Sequence, residues 1–159
     1  MTEVRLIGMG HIDLLPILME HEVSRNALSP YDLAIPFENS IDLTTISIGA
    51  AVSLLNDLNW YLSRYVEEAL IREPSIHKKE WLSRQLAVAI RNEKIRPRNS
   101  NKFLKIYSTI SSDNTLKLTQ PAFLTREQLA TTKSTHQVSE SSFYIRLLAT
   151  EFPEKFLSQ

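Results

Sequence analysis

Thr44-Thr45-Ile46-Ser47-Ile48-Gly49-Ala50-Ala51-Val52-Ser53-Leu54-Leu55-Asn56-Asp57-Leu58-Asn59-Trp60-Tyr61-Leu62-Ser63-Arg64-Tyr65-Val66-Glu67-Glu68-Ala69-Leu70-Ile71-Arg72 is the stretch on which the expected fold turns. Ile48, Ala51, Leu55, Leu58, Leu62, Tyr65 and Ala69 recur at alternating intervals of three and four, the spacing of an apolar helical seam. Thr44 or Thr45 is placed to cap such a helix, and Pro74 to stop it. Val52, Leu54, Tyr61, Val66 and Leu70 widen the seam beyond that of a two-stranded coil. The pattern predicts one long helix near 45–72 at the centre of a bundle core. A helical dimer through the same seam is the alternative use of this face.

On the N-terminal side, Val4-Arg5-Leu6-Ile7-Gly8 reads as a short strand or extended arm. Pro16 suits the first turn of a helix reaching about Arg25, with Asp13 as its cap. Residues 26–44, with Pro30, Pro36, Asn39 and Ser40, read as a long connection that packs through Leu33, Ile35, Phe37 and Ile41. On the C-terminal side, Ser75 opens a second helix to about Glu93, with Trp81, Leu82, Leu86, Val88, Ala89 and Ile90 on its buried side. Phe103 to Ile110 alternates as a strand. Ser112-Asp113-Asn114 signals a turn, and Thr115 to Thr119 returns, which makes a β-hairpin. Thr125 caps a short helix from Arg126 to about Lys133, and Ser139 caps another that carries Phe143, Tyr144, Leu147, Leu148 and Phe152. The expected class is mainly α with one small antiparallel β-hairpin (α+β). It forms a single domain over 1–159, divisible into a helical core 1–93 and a hairpin with C-terminal helices 94–159.

Composition narrows the chemistry. The 159 residues include three glycines and no cysteine, so disulfides, thiolate nucleophiles and cysteine-held metals are excluded. The first residues are not a basic leader before an apolar run, and no stretch approaches the roughly 18 apolar residues of a membrane span. The expected location is therefore cytoplasmic, with no membrane partner. Net charge is zero, yet residues 1–77 carry eleven acids against four Lys or Arg, whereas residues 78–105 carry nine Lys or Arg against two acids. This polarity is the most unusual feature of the chain.

The basic stretch supplies the leading functional expectation. Arg91, Lys94, Arg96, Arg98, Lys102 and Lys105 are dense enough to neutralise several phosphates. Phe103 and Tyr107 share a strand face with Lys105, and aromatic rings on a strand can stack bases. The capped pair around Arg126–Lys133 and Ser139–Leu148 has the arrangement of a helix-turn-helix, with Ala130 as the small residue at the close approach and Arg146 on the second helix. Its turn is long and has no glycine. These residues together predict a non-enzymatic regulatory or nucleic-acid-binding protein for DNA or RNA. The opposing possibilities are a solvated loop and pairing with Glu67, Glu68 and Glu73 of the same chain. A protein–protein adaptor or chaperone, working through the seam or the 26–44 connection, is the alternative function.

Other chemistries find little purchase. His11-x-Asp13 and Glu20-His21-Glu22 are the only compact ligand groups, and neighbours on a helix diverge by about 100°. His77 and His136 stand without a carboxylate pattern. No metal, cofactor or catalytic residue is therefore assigned. Gly8-Met9-Gly10 has Asp13 where a dinucleotide fingerprint needs glycine. Arg72 and His77 have the Arg-x4-His spacing of some helical ribonucleases, but Pro74 between them argues against one continuous helix.

Overall fold

The computed structural model describes residues 1–132 and 141–157. In chain order the elements are β1 (Thr2–Gly8), α1 (Leu14–Glu20), α2 (Glu22–Leu28), β2 (Ser40–Thr45), α3 (Ile48–Asp57), α4 (Asn59–Tyr65), β3 (Val66–Arg72), β4 (Trp81–Ser83), α5 (Arg84–Arg91), β5 (Phe103–Ser112), β6 (Thr115–Leu118), β7 (Ala122–Thr125), α6 (Arg126–Thr132) and β8 (Ser142–Leu147). The strands form one mixed sheet in the order β2-β1-β3-β4-β8-β5-β6, with β7 also paired to β5. All neighbours are antiparallel except β4 and β8. The sheet curls into a half-barrel. With 36% helix against 32% strand, the chain is a mixed α/β protein and not the mainly helical one expected.

Three expected helices give way to strands. The long helix near 45–72 is α3, α4 and β3, and its start belongs to β2. Ser47, not Thr44 or Thr45, caps α3: its Oγ accepts the Ala50 N–H at 3.0 Å. The helical run breaks at Leu58 (φ −91°, ψ 1°), just after Asn56-Asp57. Beyond Tyr65 the chain becomes a strand although Glu67, Glu68, Ala69 and Leu70 are not strand formers by propensity. Burial explains why. Leu70 and Ile71 are both 0% exposed, one in each of two different core clusters. Successive side chains on a strand point to opposite faces, so a doubly covered strand buries consecutive residues.

The second expected helix, Ser75 to Glu93, keeps only α5. Trp81-Leu82-Ser83 is β4, and Ser83 Oγ caps α5 by accepting the Leu86 N–H at 3.1 Å. The last expected helix is β8. Its proposed cap, Ser139, lies outside the described residues, as does His136. With β8 a strand, the helix-turn-helix arrangement is overturned. The β5–β6 hairpin reverses at Asp113 (φ 50°) and Asn114 (φ 66°), the positive angles of a type I′ turn.

The two faces of the sheet have different jobs. One packs Val4, Leu6, Ile71 and Leu82 against α1, α3, α4 and α5, including the seam residues Ala51, Leu55, Leu58 and Leu62. The seam is thus consumed by the core. The inner face carries Ile7, Leu70, Trp81, Tyr107, Ile145 and Leu147, joined by Phe37 and Phe152. Curling brings distant strands together across this inner face: Glu68 on β3 accepts the Tyr107 hydroxyl of β5 at 2.7 Å and pairs with Lys105, although β4 and β8 lie between. Near the rim, the Glu38 N–H bonds the Leu116 carbonyl at 2.8 Å, which ties the approach to β2 onto β6. Gly8 permits another close contact. A Cβ there would sit 2.6 Å from the Asn39 side chain, whose Oδ1 accepts the Leu14 N–H and so serves α1 in place of the expected Asp13 cap. No helix among the described residues is long and apolar enough to cross a membrane.

Candidate functional site: a basic segment and a rim cleft

The basic segment is fixed at both ends. At its start, α5 closes with the Lys94 N–H on the Ala89 carbonyl (2.9 Å) and the Glu93 N–H on the Ile90 carbonyl (3.0 Å). Glu93 takes the left-handed angle φ 59°, which makes a Schellman closure with glutamate where glycine is usual. At its end, the segment is held by a charge cluster. Glu80 Oε1 accepts from Arg146 Nε at 2.7 Å and Arg126 Nη2 at 2.8 Å, and Oε2 accepts from Arg126 Nη1 at 2.9 Å. The same arginines reach the segment: Arg146 Nη1 donates to Ser100 Oγ (3.1 Å) and Arg126 Nε to the Asn101 carbonyl (2.9 Å). The Arg126 backbone N–H adds a bond to the Lys102 carbonyl at 2.7 Å. Burial alone would raise the Glu80 carboxyl. The hydrogen bonds and positive charges of Arg126 and Arg146 outweigh that and bring it down to about 2.

Between those anchors the cations are left to solvent. Arg91, Lys94, Arg96, Arg98 and Lys102 are exposed, and none forms an ion pair with a described residue. Lys102 Nζ lies 5.3 Å from the centre of the Phe103 ring. The other three expected contact residues are placed elsewhere. Lys105 and Tyr107 face the barrel interior on Glu68, and Tyr107 is 5% exposed, so its ring is not a base-stacking platform. Burial, with the nearby Glu68 charge, also pushes the Tyr107 phenol well above its ordinary value. Arg146 is buried on Glu80 and cannot act as a base-reading side chain.

A second feature went unrecognised in the sequence. Arg5 makes a two-pronged pair with Asp42, both bonds 2.8 Å, and Arg72 donates to Glu3 at 2.5 Å. Both are cross-strand pairs set by the register of β1 with β2 and β3. Each guanidinium carbon lies 4.5 Å from the centre of the Trp81 ring, and Arg5 also approaches Phe143 (4.9 Å) and Phe37 (5.2 Å). Beside this stack, at the rim where β4 and β8 begin, opens a cleft of about 430 Å³. Arg72, His77, Lys79, Glu80, Phe143 and Tyr144 are among its walls. The backbone N–H groups of Lys79 and Glu80 donate to His77 Nδ1 (3.0 and 2.9 Å), which puts the ring proton on Nε2. Arg72 and His77 do meet at one site, although neither is on a helix. Alternation in Val4-Arg5-Leu6-Ile7 was the available signal for Arg5, since a charge between buried strand residues must face a different surface. Among the described residues, no group of three or more His, Asp or Glu is placed to hold a metal ion.

Residues 2–109 match the Family of unknown function (DUF5804). The chain belongs to that family. The matched span holds Arg5, Arg72, His77, Lys79, Glu80, Trp81 and the whole of 91–102, whereas Glu80's partners Arg126 and Arg146 fall beyond it. No curated protein and no solved structure matches the chain.

Proposed function

We propose that this protein is a non-enzymatic binder of nucleic acid that grips the phosphate backbone through Arg91, Lys94, Arg96, Arg98 and Lys102, without reading base sequence. The observation that carries the reading is that these five side chains are exposed and free of carboxylates among the described residues, on a segment pinned at both ends. Unpaired cations lose little when they meet a phosphate, because no internal ion pair has to break. A fixed segment also loses less conformational entropy on binding than a loose one. Contacts of this kind position a backbone and carry no sequence information.

The test is a fluorescence-anisotropy titration of a labelled single strand and a labelled duplex at low and moderate salt. Binding of both, falling steeply between about 50 and 200 mM salt, is expected for phosphate contacts. No binding at the lower salt contradicts the reading.

A further inference from the structure

We propose that the rim cleft is a second, separate ligand site, which takes the phosphate group of a small phosphate monoester. A volume of about 430 Å³ is too large for a lone inorganic anion and falls in the range of small-molecule sites. The walls offer donors and little free acceptor. The carboxylate Glu80 is already engaged by two arginines, and Glu3 and Asp42 next to the cleft are each paired with one. Against these stand four donors from three parts of the fold. Arg72, at the end of β3, commits only Nη2, to Glu3, and leaves Nε and Nη1 without a hydrogen bond. Lys79 is exposed and has no ion pair among the described residues. His77 presents Nε2–H, whose nearest carboxylate oxygen, on Glu80, is 3.9 Å away. Tyr144, half-buried on β8, makes no hydrogen bond to a described residue, and burial together with the Glu80 charge raises its phenol, so the hydroxyl keeps its proton. Two cationic and two neutral donors around one opening suit the three terminal oxygens of a phosphate monoester better than the two of a carboxylate.

The inference does not rest on the nucleic-acid reading, because none of the five segment cations lines the cleft. Its test follows the His77 ring resonances by NMR during titration of the intact protein with adenosine 5′-monophosphate, with adenosine and acetate as controls. A saturable His77 shift with the monophosphate alone, at a Kd of about 1 mM or tighter, is expected. Lys79→Ala should weaken it about tenfold and Tyr144→Phe about fivefold. Unfolding temperature should hold in both variants, since neither side chain bonds the rest of the described fold. Arg96→Ala with Arg98→Ala should leave the titration unchanged. Absence of a saturable shift overturns the inference. So does a shift that ignores Lys79→Ala and Tyr144→Phe, or one that adenosine or acetate reproduces.

Discussion

Lys102 and Lys105 stand three residues apart, at the entry to β5 and within it, and their surroundings could hardly differ more. Lys105 faces the barrel interior and pairs with Glu68, which also takes the Tyr107 hydroxyl. Lys102 faces solvent and pairs with no described carboxylate. The same division separates the two basic regions as wholes. On the sheet, Arg5, Arg72 and Arg146 are each answered by an acid and stacked or buried. On 91–102 the cations outnumber Glu93, their only neighbouring acid, by five to one. The difference teaches that local charge density does not identify a binding surface. What matters is whether the fold supplies a counter-charge, and that is set by contacts between residues far apart in sequence, such as Arg5 with Asp42 or Arg126 with Glu80.

The comparison breaks first where the paired charges are cut. Glu80→Gln strands two arginines that share one carboxylate and frees the end of the basic segment. Unfolding stability should drop by about 3–5 kcal/mol, as for other broken buried pairs. Urea denaturation reads this directly, and an unchanged midpoint would show that the cluster is not structural. Leu58→Ala, in the helix-side core, should cost roughly 2–5 kcal/mol by the same assay, because Leu58 is 0% exposed at the break between α3 and α4.

A pH series sharpens the same point. The Glu80 carboxyl in the folded protein sits at about 2, below its ordinary 4.5. A group whose folded value is lowered stabilises fully above the unfolded value, so this contribution is complete above pH 4.5 and is lost as pH falls towards about 2. The urea midpoint should therefore decline across that window, and Glu80→Gln should flatten the decline. The smallest effect belongs to the other region. Arg96→Ala with Arg98→Ala should change stability by no more than about 0.5 kcal/mol, the usual bound for surface sites away from structural contacts.

How far these regions could be seen in the sequence follows from the range of the forces that build them. The basic segment and the Asp113-Asn114 turn are local, so residue types and spacing expose them. The strand character of 66–72 is not local. Val66-Glu67-Glu68-Ala69-Leu70-Ile71-Arg72 has the composition of a helix, and it extends only because β1 and β4 flank it and both faces are covered. In β8 the local signal existed and was outweighed: Phe143, Ile145 and Leu147 alternate with Tyr144 and Arg146, which is period two. The helical spacing of Phe143, Tyr144, Leu147 and Leu148 competes with it, and short apolar runs satisfy both patterns. The rim cleft was out of reach, because it joins β1, β3, the 73–80 connection and β8 through the curl of the sheet.

The claim that the 91–102 cations are free for phosphate is tested most directly by the salt dependence of binding to a single strand. Each phosphate contact on a single strand contributes about −0.7 to the slope of log affinity against log salt. Relative to the unmodified protein, Arg96→Ala with Arg98→Ala should make that slope shallower by roughly 1.4, two contacts' worth, at unchanged thermal stability. An identical slope in the two proteins would contradict the account.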